Sequence, residues 1–241
     1  MPDAWPLLVG AVLVAGLVRG FAGFGTAMIY LPVAGQVLDP FAAIVTLIVM
    51  DIIGPLPAVP RAIKEGHPRD VLRLWLGMSV MVPVGLSVLT VTQPQVFRYG
   101  VSGISLCLLI CLIFGLRYSG VLKRWMIYAT GALSGFLGGV AGLAGPPVIL
   151  LYMASPHPPK VIRANTMLFL VLVDVTMIAV LGAMGRLSGE AILIGATLIL
   201  PYMAGVLIGT RLFDPTRETL YTRVAYLIIT VSALSGLPLW D

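Results

Sequence analysis

The chain has 241 residues, of which 59% are hydrophobic and 10% charged, and its mean hydropathy is +1.03. A soluble domain of this size carries roughly a quarter charged residues, so the composition excludes a soluble globular protein. The net charge of +5 does not indicate nucleic-acid binding, because the basic residues lie in short segments between apolar runs rather than in one patch.

Eight apolar runs follow one another and predict an all-α, polytopic helical membrane protein. They cover residues 5–35, 41–58, 73–91, 98–116, 125–153, 163–184, 190–210 and 220–238. Six have the length of an ordinary spanning helix, about 20 residues. The other two, 5–35 and 125–153, are too long to cross as one straight helix, because about 30 residues extend roughly 45 Å across a core of roughly 30 Å.

The first long run contains a glycine cluster that predicts a break. Glycine weakens a helix interior, so we expect two half-length helices here. The N-terminus of a half-helix presents free N–H groups and a positive dipole end to an anion. The residues expected to bind substrate at this break are Gly20, Phe21, Gly23, Gly25 and Thr26. Helix packing is the alternative role for the glycines, and aromatic packing for Phe21.

Arg19 lies at the same break and has no loop into which its charge can escape. A charge at membrane depth is costly and indicates a functional site by default. Its guanidinium can bind two oxygens of an anion through two hydrogen bonds, so Arg19 joins the expected substrate site. The alternatives are a side chain that snorkels to the surface and a partner for an aspartate.

The second long run repeats the glycine pattern of the first run, at an offset of 115 residues. The pairs are Gly16 and Gly131, Gly20 and Gly135, Phe21 and Phe136, Gly23 and Gly138, and Pro32 and Pro147. At this offset Ser134 stands where Arg19 stands in the first copy. Paired broken segments in two halves of a chain indicate a transporter's binding site, and they divide this chain into repeats 1–124 and 125–241. The residues expected to bind substrate at the second break are Gly138, Gly139, Gly142, Gly145 and Pro146.

Asp51 and Asp174 pair between the repeats after an eight-residue insertion, each near the middle of its predicted span. A carboxylate within the membrane can carry protons, so both are expected to couple transport to protons. A pairing role with Arg19 and a structural hydrogen bond to unwound backbone are the alternatives. Asn165 and Thr166 are expected to offer neutral donors to the substrate, or else to open their helix.

The distribution of Lys and Arg favours re-entrant hairpins for the two long runs. If each run crosses once, the two sides carry eight and six basic residues; if each returns to its starting side, they carry twelve and two. The positive-inside rule prefers the second arrangement. Each repeat then has one broken glycine-rich hairpin plus three spanning helices. Because three is odd, the two repeats are inverted, and both termini are non-cytoplasmic.

Two segments resemble the TauE/SafE family of sulfite exporters. The second break reads GALSGFLGGVAGLAGPPVILLY at 131–152, which resembles the family's glycine-proline signature, and GLVRGFAGFGTAMIYLP at 16–32 resembles its other copy. The start of the following span, residues 163–166, fits as well. The resemblance implies secondary transport of a sulfur-containing anion across the inner (plasma) membrane: sulfite, thiosulfate, sulfoacetate or another organosulfonate.

Other classes of function are disfavoured. The absence of a GxxxxGK[ST] motif favours a proton or ion gradient as the energy source and alternating access as the mechanism. An intramembrane enzyme would need a histidine at depth, whereas His67 and His157 lie between apolar runs, so no catalytic residue, cofactor or metal site is expected. The expected partners are the anion, protons and the bilayer, without nucleic acid, and a homodimer is compatible with them. The alternative function is a channel or exporter for a different anion or a metal ion.

Overall fold

The computed structural model describes residues 4–56, 59–114, 122–153, 155, 157–214 and 218–238, which contain eleven helices and no strand. The helices are α1 (Trp5–Ala22), α2 (Thr26–Ala34), α3 (Pro40–Asp51), α4 (Val59–Glu65), α5 (Pro68–Thr90), α6 (Pro94–Ile113), α7 (Arg124–Ala141), α8 (Gly145–Met153), α9 (Pro159–Ala183), α10 (Gly189–Leu212) and α11 (Glu218–Gly236). Five of these helices, α1, α5, α6, α9 and α10, are long and apolar enough to cross a membrane. The predicted class, an all-α polytopic membrane protein, is confirmed.

Both predicted breaks are present, and both follow from glycines in the left-handed region. Gly23 and Gly25 have φ angles of +78° and +100°, and Gly142 has +70°. The prediction of two half-length helices is wrong, because the pieces are unequal: α1 and α7 have 18 residues each, and α2 and α8 have nine. At 1.5 Å per residue the longer pieces extend about 27 Å, nearly a full membrane crossing.

The register between the two copies differs from the sequence pairing by one helical turn. α1 and α7 begin at Trp5 and Arg124 and end at Ala22 and Ala141, so equivalent positions lie 119 residues apart rather than 115. Glycines recur every four residues in α7, at 131, 135 and 139, so a shift of one turn keeps three glycine pairs but loses the phenylalanine and proline pairs. In this register the counterpart of Arg19 is Gly138, so the pairing of Arg19 with Ser134 does not hold.

The prediction of a full spanning helix over residues 41–58 is wrong, because the helix there is shorter. α3 has 12 residues, ends at Asp51 and extends about 18 Å, after which the chain continues in turns through residue 56. Gly54 and Pro55 explain this end, because proline disfavours helix in the residue before it and lacks an N–H. Asp51 is therefore the last residue of a short helix, whereas Asp174 lies within the 25-residue α9.

The chain folds into two compact units. Unit 1 contains Met1–Asp51, Gln93–Leu109 and Leu187–Asp241, and unit 2 contains Ile52–Thr92 and Ile110–Arg186. Each unit therefore combines helices from both halves of the sequence. The division into two inverted sequence repeats at residue 124 stays a prediction.

In unit 1, α2 runs parallel to α11. Phe24, just before α2, packs against Tyr226, with 6.4 Å between ring centroids. One helix length later Pro32 lies against Gly236, where an added Cβ would come within 2.6 Å of the proline Cβ. Both helices therefore advance in the same direction.

By contrast, α1 runs antiparallel to α11. Phe21 in the last turn of α1 packs on Tyr221 near the start of α11, with 5.4 Å between ring centroids. The first half of α1 lines one groove with the middle of α11 and with Ile29 and Val33 of α2. The chain thus reverses at the break, and α2 returns along α1 as the predicted hairpin.

Glycine faces hold the longest helix pairs together. A Cβ on Gly20 of α1 would collide with the Val206 carbonyl oxygen of α10, and one on Gly209 would collide with the Leu17 carbonyl oxygen. In unit 2, a Cβ on Gly135 of α7 would likewise collide with a carbonyl oxygen of α5. Because lipid gives helices no hydrophobic drive to associate, such backbone-to-backbone packing is the main attraction available to them.

Candidate functional site

The first break leaves backbone donors without intrahelical partners at the start of α2. The first bond of this helix runs from the Ile29 N–H to the Gly25 carbonyl, at 3.1 Å, and no side chain caps the helix. The N–H groups of Thr26, Ala27 and Met28 therefore have no intrahelical partner. Such a helix start favours an anion through both its free N–H groups and its dipole.

A tyrosine of α10 reaches this helix start and joins three helices. The Tyr202 hydroxyl donates a hydrogen bond to Asp51 Oδ1, at the end of α3, and lies 3.2 Å from Thr26 Oγ1. Tyr202 and Thr26 are only 2% and 3% exposed, and Asp51 is half-buried. The structure therefore brings the candidate proton carrier Asp51 to the candidate substrate residue Thr26.

Arg19 belongs to the same cluster. It lies in the last turn of α1, is half-buried, and is close enough to the Tyr202 hydroxyl for an electrostatic interaction. Arg19, Thr26 and Asp51 are thus gathered around one hydroxyl group. We call these four residues, with the three N–H groups at the start of α2, the first-break cluster.

A second hydroxyl pair fixes α2 against α3. The Thr46 hydroxyl donates to the Ala43 carbonyl at 2.9 Å, so the Tyr30 hydroxyl, at 2.8 Å, must donate to Thr46 Oγ1. Tyr30 and Thr46 are fully buried. This bond holds the helix that carries the free N–H groups at a set position beside Asp51.

The other predicted residues of this break have different surroundings. Gly20 faces the backbone of α10, and Phe21 packs on Tyr221, so both have packing contacts that account for them. Gly23 is exposed, and nothing lies within 4 Å of the position of an added Cβ. The break is therefore open at Gly23 and tightly packed at Gly20.

The second break, in unit 2, is closed and poor in donors. Ser134 donates a hydrogen bond to the Ala144 carbonyl, and a Cβ on Gly138 would lie 3.0 Å from the Ala144 Cβ. Gly139 faces the backbone of α5, with an added Cβ 2.7 Å from the Leu86 nitrogen. Two prolines follow Gly145 in the first turn of α8, so only one of its first three residues has an N–H. The helix start beside the predicted residues Gly142, Gly145 and Pro146 therefore offers fewer N–H donors than the start of α2.

Asn165 lies elsewhere in unit 2, in the first turns of α9. It is fully buried, and its Oδ1 accepts a hydrogen bond from the His67 N–H at 2.7 Å. Its Nδ2 and the Tyr152 hydroxyl are both buried and lie near each other, without a close hydrogen bond to any described residue. The neighbouring Thr166 is half-buried.

Asp174 and the two histidines complete unit 2. Asp174 is buried, 9% exposed, in the interior of α9. The His67 and His157 rings approach within 4.9 Å between centroids, a contact that their separate loops did not suggest. Within the described ranges, no three His, Cys, Asp or Glu side chains are placed to hold a metal ion.

Sequence reasoning missed Tyr202. A tyrosine in an apolar helix, between Pro201 and Gly205, is a weak signal, because such residues also serve as packing aromatics. The glycines at 205 and 209 were the better clue, since they mark the face of α10 that meets α1.

Comparison with known proteins gives the chain a family. The model of the family described as "Sulfite exporter TauE/SafE" matches residues 8–236, nearly the whole chain. The chain belongs to the TauE/SafE family. No curated protein and no solved structure matched it.

Membership of the TauE/SafE family has direct consequences. It makes the chain a multi-pass membrane protein of a transporter family and implies an anion as the cargo, with sulfite named in the family description. A transporter also fits the expectation that the chain is not an enzyme. Both breaks lie inside the matched range, so the first-break cluster belongs to the part of this chain that the TauE/SafE model recognises.

Proposed function

We propose that the protein is a secondary active transporter that moves a sulfur-containing anion across the plasma membrane by alternating access, coupled to protons. The observation that carries the proposal is the first-break cluster. It combines three backbone N–H donors, a guanidinium and two hydroxyl groups where the helix is interrupted.

The chemistry of the cluster suits sulfite, thiosulfate, sulfoacetate and other organosulfonates. Each presents oxygens that accept hydrogen bonds, which the N–H groups at the start of α2 can donate. Arg19 adds a planar pair of donors, and charge-assisted bonds of this kind are roughly twice as strong as neutral ones. Gly23 leaves open space next to these donors, so an anion can approach the backbone.

The position of Asp51 supports its role in proton coupling. Its carboxylate accepts a hydrogen bond from Tyr202, whose hydroxyl also contacts Thr26 at the start of α2. If Asp51 binds a proton, its carboxyl group becomes a weaker, uncharged acceptor, and the Tyr202 hydroxyl can turn its hydrogen towards Thr26 or the anion. Proton binding and anion binding then influence each other through one side chain. Asp174 is the second candidate carrier, in unit 2.

The residues in unit 2 form a second set of proposed contacts. The amide of Asn165 is the strongest feature of this set, because its buried Nδ2 makes no close hydrogen bond in the described part of the chain and has only a loose contact with the Tyr152 hydroxyl, which an anion oxygen can replace. Thr166 follows Asn165 in the chain. The closed second break contributes fewer donors, as described above.

A transport assay on the purified protein in liposomes tests the proposal. Solid-supported membrane electrophysiology would compare sulfite, thiosulfate, sulfoacetate and taurine with sulfate, phosphate, chloride and divalent cations, with and without a pH gradient. We expect saturable currents for at least one sulfur-containing anion, altered by the gradient. Counterflow of labelled substrate would distinguish a carrier from a channel.

Either of two results would overturn the proposal. Currents for a cation but for no sulfur-containing anion would contradict the substrate class. Sulfur-anion currents without saturation or counterflow would identify a channel. Currents that do not respond to the pH gradient would contradict proton coupling, while anion transport itself would stand.

A further inference from the structure

Unit 2 has a charged pocket whose lining includes no residue of the second break. It lies where α4 packs against the first turns of α9 and has a volume of about 490 Å³. Its charged lining consists of Arg61 and Glu65 from α4 and Lys160 and Arg163 from α9. Three cations and one carboxylate leave the pocket with a net positive charge.

Glu65 occupies the centre of this charge group. Its Oε1 lies 2.7 Å from Arg61 Nε and 3.0 Å from Lys160 Nζ. The hydrogen bonds from Arg61 and Lys160 hold the pKa of Glu65 below its ordinary value, so the carboxylate is ionised at neutral pH. Arg163 makes no ion pair with any described residue and is exposed. The pocket therefore has one unpaired cation and two that an internal carboxylate already engages.

The volume and lining of the pocket suit a phosphate group carried on a larger molecule. Lys160 begins a candidate membrane span, and Arg163 follows it by about one helical turn. Ala62, Ala164 and Met167 supply an apolar wall beside the cations. The volume is many times that of a sulfite ion, so the pocket does not fit the proposed cargo by size.

We propose that this pocket binds a phosphate group, either of an anionic lipid headgroup or of a soluble phosphate compound. Basic pockets at the ends of membrane helices on the lysine- and arginine-rich side attract anionic headgroups, and guanidinium groups match phosphate oxygens in pairs. The phosphate approaches Arg163 first and then competes with Glu65 for Arg61 and Lys160. Glu65 acts as a built-in competitor that weakens binding, and occupancy would loosen the link between α4 and α9.

Binding to the full-length protein in detergent tests this inference. The probes are short-chain phosphatidylglycerol, phosphatidylcholine with the same chains, and glycerol 3-phosphate, each measured by native mass spectrometry and thermal shift. We expect phosphatidylglycerol to bind more tightly than phosphatidylcholine, with affinity that falls as salt rises. Arg163→Gln should weaken phosphatidylglycerol binding about fivefold, since each basic residue near the surface contributes about that factor. Glu65→Gln should strengthen it.

A matched control separates the pocket from general positive charge. Lys64→Gln removes the same charge from α4 outside the pocket lining and should leave affinity unchanged. Binding of phosphatidylglycerol alone identifies a lipid site, and binding of glycerol 3-phosphate with the same response to Arg163→Gln identifies a soluble phosphate site. Equal binding of both lipids, or an equal effect of Lys64→Gln and Arg163→Gln, would overturn the inference. None of these readouts depends on sulfur-anion transport.

Discussion

The two breaks have the same backbone arrangement but differ in the hydrogen-bond donors that they present. Each follows an 18-residue helix, contains a glycine with positive φ and precedes a nine-residue helix. The first presents three N–H groups with Arg19 nearby. The second has two prolines in the first turn of α8 and a serine bonded to the carbonyl of Ala144.

This difference shows that a repeated backbone does not imply a repeated site. Glycine spacing produces the break in both copies, whereas the residues next to it decide whether the new helix start can hold an anion. The first copy has three backbone donors at the start of α2, and the second has two prolines at the start of α8. The substrate site should therefore be asymmetric, with the first break dominant.

The largest expected effect comes from removing Arg19. Arg19→Ala should reduce apparent affinity for the transported sulfur anion roughly ten- to hundredfold, because a hydrogen bond to a charged group contributes about 1.5–3 kcal/mol. Initial flux in proteoliposomes measures this, with folded yield checked by size-exclusion chromatography. Arg124→Ala, at the exposed start of α7, removes the same charge and should transport normally. Unchanged flux in Arg19→Ala would exclude this residue from the site.

Proton coupling should depend on the first-break cluster more than on unit 2. Asp51→Asn should abolish flux driven by a pH gradient while substrate exchange continues, because the amide cannot carry a proton. Tyr202→Phe should weaken coupling less, since the carboxylate remains. Asp174→Asn is the comparison. If Asp174→Asn abolishes driven flux and Asp51→Asn leaves it intact, coupling belongs to unit 2 and the assignment is wrong.

Substitution of a packing glycine should destabilise the protein more than substitution of a glycine in the break. Gly20→Ala and Gly139→Ala should each destabilise the protein by about 1–3 kcal/mol, because the new Cβ meets the backbone of a neighbouring helix. Gly23→Ala has space for its Cβ and should cost about 1 kcal/mol through its positive φ. Thermal unfolding in detergent compares them.

Gly10→Ala is the control for this series, since nothing lies within 4 Å of its added Cβ. It should be neutral or slightly stabilising, because alanine favours helix. Equal melting temperatures for Gly10→Ala and Gly20→Ala would contradict the packing role of Gly20.

The smallest expected effect comes from removing one backbone N–H at the first break and, in a separate variant, adding one at the second. In the register of 119, Ala27 is the counterpart of Pro146. Ala27→Pro removes one N–H from a first turn that tolerates proline, and should weaken substrate binding a few-fold, about 1 kcal/mol. Pro146→Ala should leave affinity unchanged. The reverse result would move the anion site to the second break.

The sequence predicted the class and the two breaks, because composition and glycine clusters act locally, and it predicted the reversal of the chain at the first break. The re-entrant course within the membrane stays a prediction. The sequence could not place the register, since glycines four residues apart match after a shift of one turn. It also missed the end of α3, where Gly54 and Pro55 interrupt an otherwise apolar run. The contact between Tyr202 and Asp51 joins residues 151 positions apart, and no local pattern encodes it.

The four-residue spacing of the helix-packing glycines also determines which insertions and deletions the packed helices tolerate. Because 3.6 residues make one turn of about 5.4 Å, adding or deleting four residues turns nearly the same face towards the partner helix. Homologues should therefore differ in the lengths of α1 and α7 mainly by whole turns. Such steps would let the protein adapt to bilayers of different thickness without losing its close helix pairs.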